Sequence, residues 1–192
     1  MGATDEQIEG RVLYAAVEPF DETSGSRWKG YAAWLGKPEL PRVITLDHML
    51  CAPLVKDFDD EDWQHNVQAD FLHLDLFHDF EYLRQRTSSF SRRNLLAVIA
   101  NPKPHEMTQV QAPLFVFVGF DIVDMEMCAS AILNCGGYPD IFSVDELSSK
   151  SGLLQDYGRA CKIRDTLRER FPDERHAQCR VWAIWEWVGA KS

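Results

Sequence analysis

Two unbroken apolar runs dominate the pattern of hydrophobic and polar positions, and both have the length of a β-strand. They are Leu95–Ala100 and Leu114–Phe120. A strand with one face in water alternates between apolar and polar residues, so a continuous apolar run predicts a strand that is buried on both faces. Gly119 lies inside the second run and marks a β-bulge or the close approach of another backbone segment.

Other segments predict strands by alternation or by composition. Phe71–Phe77 alternates between apolar residues and the polar residues His73 and Asp75, which predicts a half-buried strand. Its inward face would carry Leu72, Leu74 and Leu76. Cys179–Val188 alternates too and predicts a closing strand with three tryptophans, Trp182, Trp185 and Trp187. Two further short strands are predicted at Arg11–Pro19 and Arg42–Leu46.

Helices are predicted where the apolar period changes or where capping residues occur. Leu153–Phe171 keeps a period of about 3.6 residues and ends before a proline, which predicts a helix. The acids of Asp59–Asp62 fit the first turn of a helix, where they face the positive end of its dipole. Ser143–Glu146 has the spacing of a capping box. Met125–Leu133 is also predicted as a helix, which stops before two glycines.

These elements are interleaved irregularly, without the regular strand–helix–strand spacing of a doubly wound sheet. The order predicts an α+β fold with a mixed or mainly antiparallel sheet and helices packed on it. The chain has 192 residues, of which 45% are hydrophobic, enough to form a sizeable core. We therefore expect one globular domain over residues 1–192.

Composition restricts the environment and the partners. The N-terminal segment Met1–Glu6 is polar and acidic and has no apolar stretch, so we expect no signal peptide. No apolar run approaches the length of a membrane span. The five cysteines are scattered without CxxC spacing, which predicts reduced thiols and a cytoplasmic location. A sequence pI near 5.0 argues against nucleic acid as a partner.

Charge is distributed very unevenly along the chain. Nine carboxylates and no Lys or Arg lie between Asp57 and Leu83, in a chain of net charge −10. The next stretch, Arg84 to His105, contains five Lys or Arg residues and no acid. Asymmetry of this kind is informative about partners, because a field of one sign attracts molecules of the other.

The start of the acidic stretch is the first candidate site. Carboxylates around a large aromatic residue suit a surface that binds a basic protein, since the acids attract it and the aromatic ring inserts into a pocket. The alternative is a solvated helix start that keeps the chain soluble. The candidate residues are Asp57, Asp59, Asp60, Glu61, Asp62 and Trp63.

A second candidate is a metal-like cluster in the same stretch. Imidazole and carboxylate groups are suitable ligands for zinc or iron, and two of these side chains would share one face of the predicted strand. The alternative is the wet face of an amphipathic strand that runs into a helix. The cluster consists of His73, Asp75, His78 and Asp79.

The sequence contains no nucleophile elbow, no catalytic-cysteine signature and no P-loop. We therefore expect a non-catalytic acidic protein that neutralises a basic protein partner and needs no cofactor. Its most concrete form is an immunity-protein or antitoxin-type inhibitor of a toxin enzyme. One alternative is a metal-dependent hydrolase that uses His73, Asp75, His78 and Asp79. Another is a subunit of a larger assembly, joined through an uncovered tryptophan face.

Overall fold

A seven-stranded antiparallel sheet forms the centre of the computed structural model, which describes residues 8–56, 60–110, 114–134 and 140–189. The spatial order of its strands is β4-β5-β1-β6-β9-β7-β8, and β2 and β3 form a separate two-stranded sheet. The strands are β1 Leu13–Val17, β2 Phe20–Asp21, β3 Arg42–Val43, β4 Val67–Asp70, β5 Asp75–Phe77, β6 Asn94–Ala100, β7 Phe115–Asp124, β8 Ala129–Ser130 and β9 Arg180–Trp187. With the helices this is a single α+β domain, so the predicted fold class is confirmed.

Strand β6 occupies the middle of the sheet, between β1 and β9. All seven of its residues are buried, as the unbroken apolar run predicted. Its pairing with β1 matches Leu13 to Val98, and its pairing with β9 matches Ile99 to Ala183. Covering both faces of this strand removes a continuous row of aliphatic side chains from water, and this burial is the main driving force for the fold.

Strand β7 contains the irregularity that Gly119 predicted. The register against β9 shifts between Phe117 and Gly119, and the φ angle of Gly119 is 146°. A Cβ atom at this position would lie 2.6 Å from the carbonyl oxygen of Leu154. The adjacent Phe120 N–H donates to that same oxygen at 2.7 Å, and the Leu154 N–H donates back to the Phe120 carbonyl oxygen at 3.1 Å. The bulge therefore admits a backbone segment that pairs with the strand in the antiparallel sense.

The described residues contain four α-helices besides the strands. They are α1 Ser26–Trp34, α2 Glu61–Asn66, α3 Phe80–Arg86 and α4 Tyr157–Arg170. Helix α4 begins where the Asp156 carboxylate accepts the Arg159 N–H at 2.6 Å, and it buries Ala160, Ile163 and Leu167 against β7 and β9. Among the helices of the described segments, none combines the length and the apolar character needed to cross a lipid bilayer.

The predicted strand over Phe71–Phe77 is wrong in its first half. The Phe71 N–H donates to the Leu74 carbonyl oxygen at 3.0 Å, so the chain turns there and β5 begins only at Asp75. Because of this turn, the side chains of the segment do not alternate between an inward and an outward face as predicted. Leu72 is 65% exposed although it was placed on the inward face, and Asp75 is 1% exposed although it was placed on the wet face.

The predicted helix over Met125–Leu133 is also wrong. Strand β7 continues to Asp124, whose carboxylate accepts the Glu126 N–H at 2.9 Å and so opens a turn instead of a helix. The chain then forms β8, which pairs Asp124 with Ala129. The two glycines expected to end the helix, Gly136 and Gly137, lie outside the described residues.

The tryptophans of β9 do not form an uncovered face. Trp182 is fully buried and Trp185 is 6% exposed, although the two side chains point to opposite sides of the sheet. Trp187 is half-buried, and its ring lies 5.8 Å from the ring of Phe80 in α3. The subunit interface expected from an uncovered tryptophan face therefore has no basis in these three residues.

Candidate functional site

Asp60 marks the beginning of helix α2 and of the described part of the acidic surface. Its carboxylate accepts the Trp63 N–H at 2.7 Å and forms an ion pair with Arg86. The hydrogen bond from Trp63 and the nearby Arg86 guanidinium hold the pKa of Asp60 below its usual value. Of the predicted partner-binding residues, Asp57 and Asp59 lie outside the described residues.

Glu61 and Asp62 form the exposed first turn of α2. Acids are stable there because they face the unpaired N–H groups of the helix start. Neither carboxylate forms an ion pair with a Lys or Arg among the residues that the structure describes. These two side chains are therefore the part of the predicted surface that remains open to an external cation.

Trp63 is held by the fold. Its indole Nε1 donates to the Asp75 carboxylate at 3.0 Å, and its ring packs against a small core cluster that includes Phe77 and Leu83. The indole is consequently half-buried rather than projecting into solvent. Sequence alone did not indicate this contact, because Trp63 and Asp75 belong to different elements.

The remaining acids of the stretch are largely neutralised within the chain. Lys56 Nζ lies 2.8 Å from Asp70 and 3.0 Å from Asp75. Glu81 pairs with Arg84, three residues later in α3, at 2.7 Å. The acidic stretch is therefore divided between internal ion pairs and a smaller exposed group at the start of α2.

The metal-like cluster is not brought together. His73 stacks on His48 with ring centroids 4.1 Å apart, whereas Asp75 is buried and bonded to Trp63 and Lys56. Asp79 instead caps helix α3 by accepting the Tyr82 N–H at 3.0 Å, and the neighbouring His78 is exposed. In the described segments, no group of three or more His, Cys, Asp or Glu side chains is arranged to hold a metal ion.

Two fully buried carboxylates, Asp47 and Asp121, form a polar centre that the sequence analysis did not identify. Asp121 accepts the Ser130 hydroxyl at 2.6 Å and its neighbour's N–H at 2.8 Å, and it also accepts the Thr45 hydroxyl. Burial raises the pKa of Asp121 to about 6, although these hydrogen bonds oppose the shift. No signal in the sequence separates this aspartate from an exposed one.

Asp47 shapes the loop after β3. One carboxylate oxygen accepts the N–H groups of Met49 and Leu50, at 2.8 and 3.2 Å. The other accepts the Ser130 N–H at 2.7 Å and the Asn134 side chain at 3.0 Å. The buried pair therefore ties this loop to β7 and β8, and it fixes the position of the loop's outward residues.

Burial disfavours the reactive thiolate form of the described cysteines near this centre. Burial raises the pKa of both Cys51 and Cys128 to about 12, so both remain protonated thiols at neutral pH. Cys135 lies outside the described residues.

Comparison with protein-family models, with curated proteins and with solved structures found no match. The function of the chain is therefore inferred from its own residues.

Proposed function

We propose that the chain is a cytoplasmic, non-catalytic acidic protein that binds and neutralises a basic protein partner. Its most concrete form is an immunity-protein or antitoxin-type inhibitor of a toxin enzyme. The observation that carries the proposal is the pair Glu61 and Asp62, which is exposed and has no ion-pair partner among the described residues. Enzymes that act on nucleic acid need positive surfaces, and such surfaces are complementary to an acidic inhibitor.

The basic stretch that follows in sequence does not cancel this field. Three of its four arginines are paired with acids: Arg84 with Glu81, Arg86 with Asp60 and Arg92 with Asp21. The fourth, Arg93, donates to the Arg84 carbonyl oxygen and the Thr87 hydroxyl. Because each pair removes one charge of each sign, the excess of −10 remains on the rest of the molecule. Exposed charges attract a basic partner over roughly 10 Å at 0.1 M salt, and added salt weakens this attraction.

The metal-dependent hydrolase has less support. Its four candidate ligands are separated by their contacts, and the described residues contain no other cluster of suitable composition. Cys51 and Cys128, whose pKa values burial raises to about 12, offer no nucleophile either. What remains in the described segments is an acidic surface held on a rigid sheet, which suits binding better than catalysis.

Charge reversal at α2 tests the proposal. The test variant is Glu61→Lys/Asp62→Lys, and the matched control is Glu39→Lys/Glu169→Lys, which changes the net charge by the same amount at exposed sites on other elements. Tagged proteins would be used to capture partners from the native lysate, with thermal unfolding as the check on folding. We expect the wild type and the control to capture a stoichiometric basic protein, and the test variant to lose it. Equal capture by all three proteins would refute the proposed role of α2.

A further inference from the structure

An open cleft of about 550 Å³ lies beside the loop that Asp47 shapes. Its walls come from that loop, from the turn after β7 and from the segment before β9. Its lining includes two methionines, three carboxylates and a histidine: Met49, Met127, Asp124, Asp173, Glu174 and His48. A volume of this size is typical of sites that hold a small ligand or a few inserted side chains.

Two methionines give the cleft an apolar, adaptable lining. Met49 is 55% exposed, and Met127 is half-buried in the turn after β7. Unbranched thioether side chains adjust to irregular ligands and are common on surfaces that bind basic or amphipathic segments. They would cover the aliphatic stem of an inserted lysine or arginine.

The carboxylates supply the complementary charge. Asp124 is 2% exposed, and one of its oxygens accepts the Glu126 N–H. Among the described residues, no donor reaches its second oxygen, and Asp124 is one of the residues that line the cleft. Asp173 and Glu174 are exposed at the rim, where Arg175 offsets one of the negative charges.

His48 contributes an imidazole ring to the lining of the cleft. Its Nδ1 lies 3.3 Å from the Cys128 carbonyl oxygen, and its backbone N–H donates to the same oxygen at 3.0 Å. A carbonyl oxygen only accepts, so Nδ1 is the donor in this contact, and in the Nδ1–H tautomer Nε2 carries a lone pair. The ring also stacks on that of His73, with centroids 4.1 Å apart.

We propose that this cleft receives the side chain of an arginine or lysine from the basic partner. The inference rests on the proposed function and gives it a specific contact. The cation would meet the free oxygen of Asp124 and the acceptor nitrogen of His48, while its stem lies on Met49 and Met127. A buried carboxylate that faces an apolar cleft favours a cation over a neutral group of the same shape.

Binding of a small probe to the full chain tests the cleft separately from the partner. The probe is N-acetyl-L-arginine amide, and the control probe is the citrulline analogue, which has a neutral urea in place of the guanidinium. Methyl resonances of ¹³C-labelled methionines would be followed during titration. The chain has five methionines, of which Met107 does not line the cleft and serves as the internal control.

We expect saturable shifts of the Met49 and Met127 resonances with the arginine probe. Asp124→Asn keeps the acceptor for the Glu126 N–H but removes the charge, and should weaken binding about tenfold. Met49→Lys, at an exposed position, should also abolish binding without affecting the fold. Equal shifts with citrulline, or no shifts at these methyl groups, would overturn the inference.

The two proposals fail in different ways. If Glu61 and Asp62 are needed for capture of a basic protein but the arginine probe does not bind, the cleft inference is wrong and the proposed function stands. If the probe binds at the cleft but no basic protein is captured, the proposed function is wrong. In that second case the cleft remains a site that selects cations.

Discussion

Replacing Asp121 by asparagine should change how the stability of the protein depends on pH. The pKa of Asp121 is raised from 3.8 to about 6 in the folded protein, mainly by burial. Below pH 3.8 the group is protonated in both states. As the pH rises from there to 6, the unfolded chain releases the proton while the folded protein keeps it, so stability falls. The full difference is roughly 3 kcal/mol and is constant above pH 6.

Asparagine has nearly the same shape as aspartate and does not titrate, so the Asp121→Asn variant should lack this contribution. We would measure urea unfolding by tryptophan fluorescence at pH 4 and pH 7.5. The free energy of unfolding of the wild type, relative to the variant, should be about 2 to 3 kcal/mol larger at pH 4 than at pH 7.5. Asp145→Asn, at an exposed carboxylate, controls for the loss of one charge. A difference that is the same at both pH values would refute the reasoning.

Two further changes test the bulge in β7 and the capping box. Gly119→Ala should lower the free energy of unfolding in urea by about 2 to 4 kcal/mol, because the residue has positive φ and faces a carbonyl oxygen. Gly30→Ala, in an open helical position, should instead raise it by up to about 1 kcal/mol. Similar effects at both sites would contradict this account of the bulge. Glu146→Gln should flatten the acid side of the stability curve, because a hydrogen bond from Arg159 lowers the pKa of Glu146 from 4.5 to about 2. The stabilisation by the wild-type carboxylate is complete above pH 4.5 and is lost as the pH falls through 2; an unchanged acid transition in thermal unfolding would argue against it.

Strands that are buried on both faces were predictable from sequence, because they need apolar residues at every position. The run Leu95–Ala100 became the fully buried β6. The run Leu114–Phe120 became part of β7, but its predicted burial on both faces is wrong, since Leu114 is 47% and Val116 52% exposed. Gly119 indicated the bulge for an equally local reason, since only glycine tolerates both the φ angle and the close approach of the Leu154 backbone there. The capping box of Ser143 and Glu146 was likewise predictable from the spacing of the two residues, and the structure confirms it.

Contacts between distant segments were not predictable. Asp75 was assigned to a wet face because its neighbours alternate, but Trp63 and Lys56 supply the donors that allow its burial. Asp47 and Asp121 are buried for a similar reason, through partners that lie up to 87 residues away in sequence. A carboxylate gives no local sign of its distant donors. The same applies to the acidic stretch, whose ion pairs divide a charge run that looks continuous in sequence.

Capture of partners from the native lysate at low and high salt tests the central claim most directly, with elemental analysis of the same purified protein. The account predicts a stoichiometric basic protein whose association slows as salt rises, since exposed carboxylates attract it. If no basic protein is captured at either salt concentration, and the purified chain instead contains about one equivalent of zinc, iron or manganese, the account is contradicted. That result would favour the metal-dependent hydrolase.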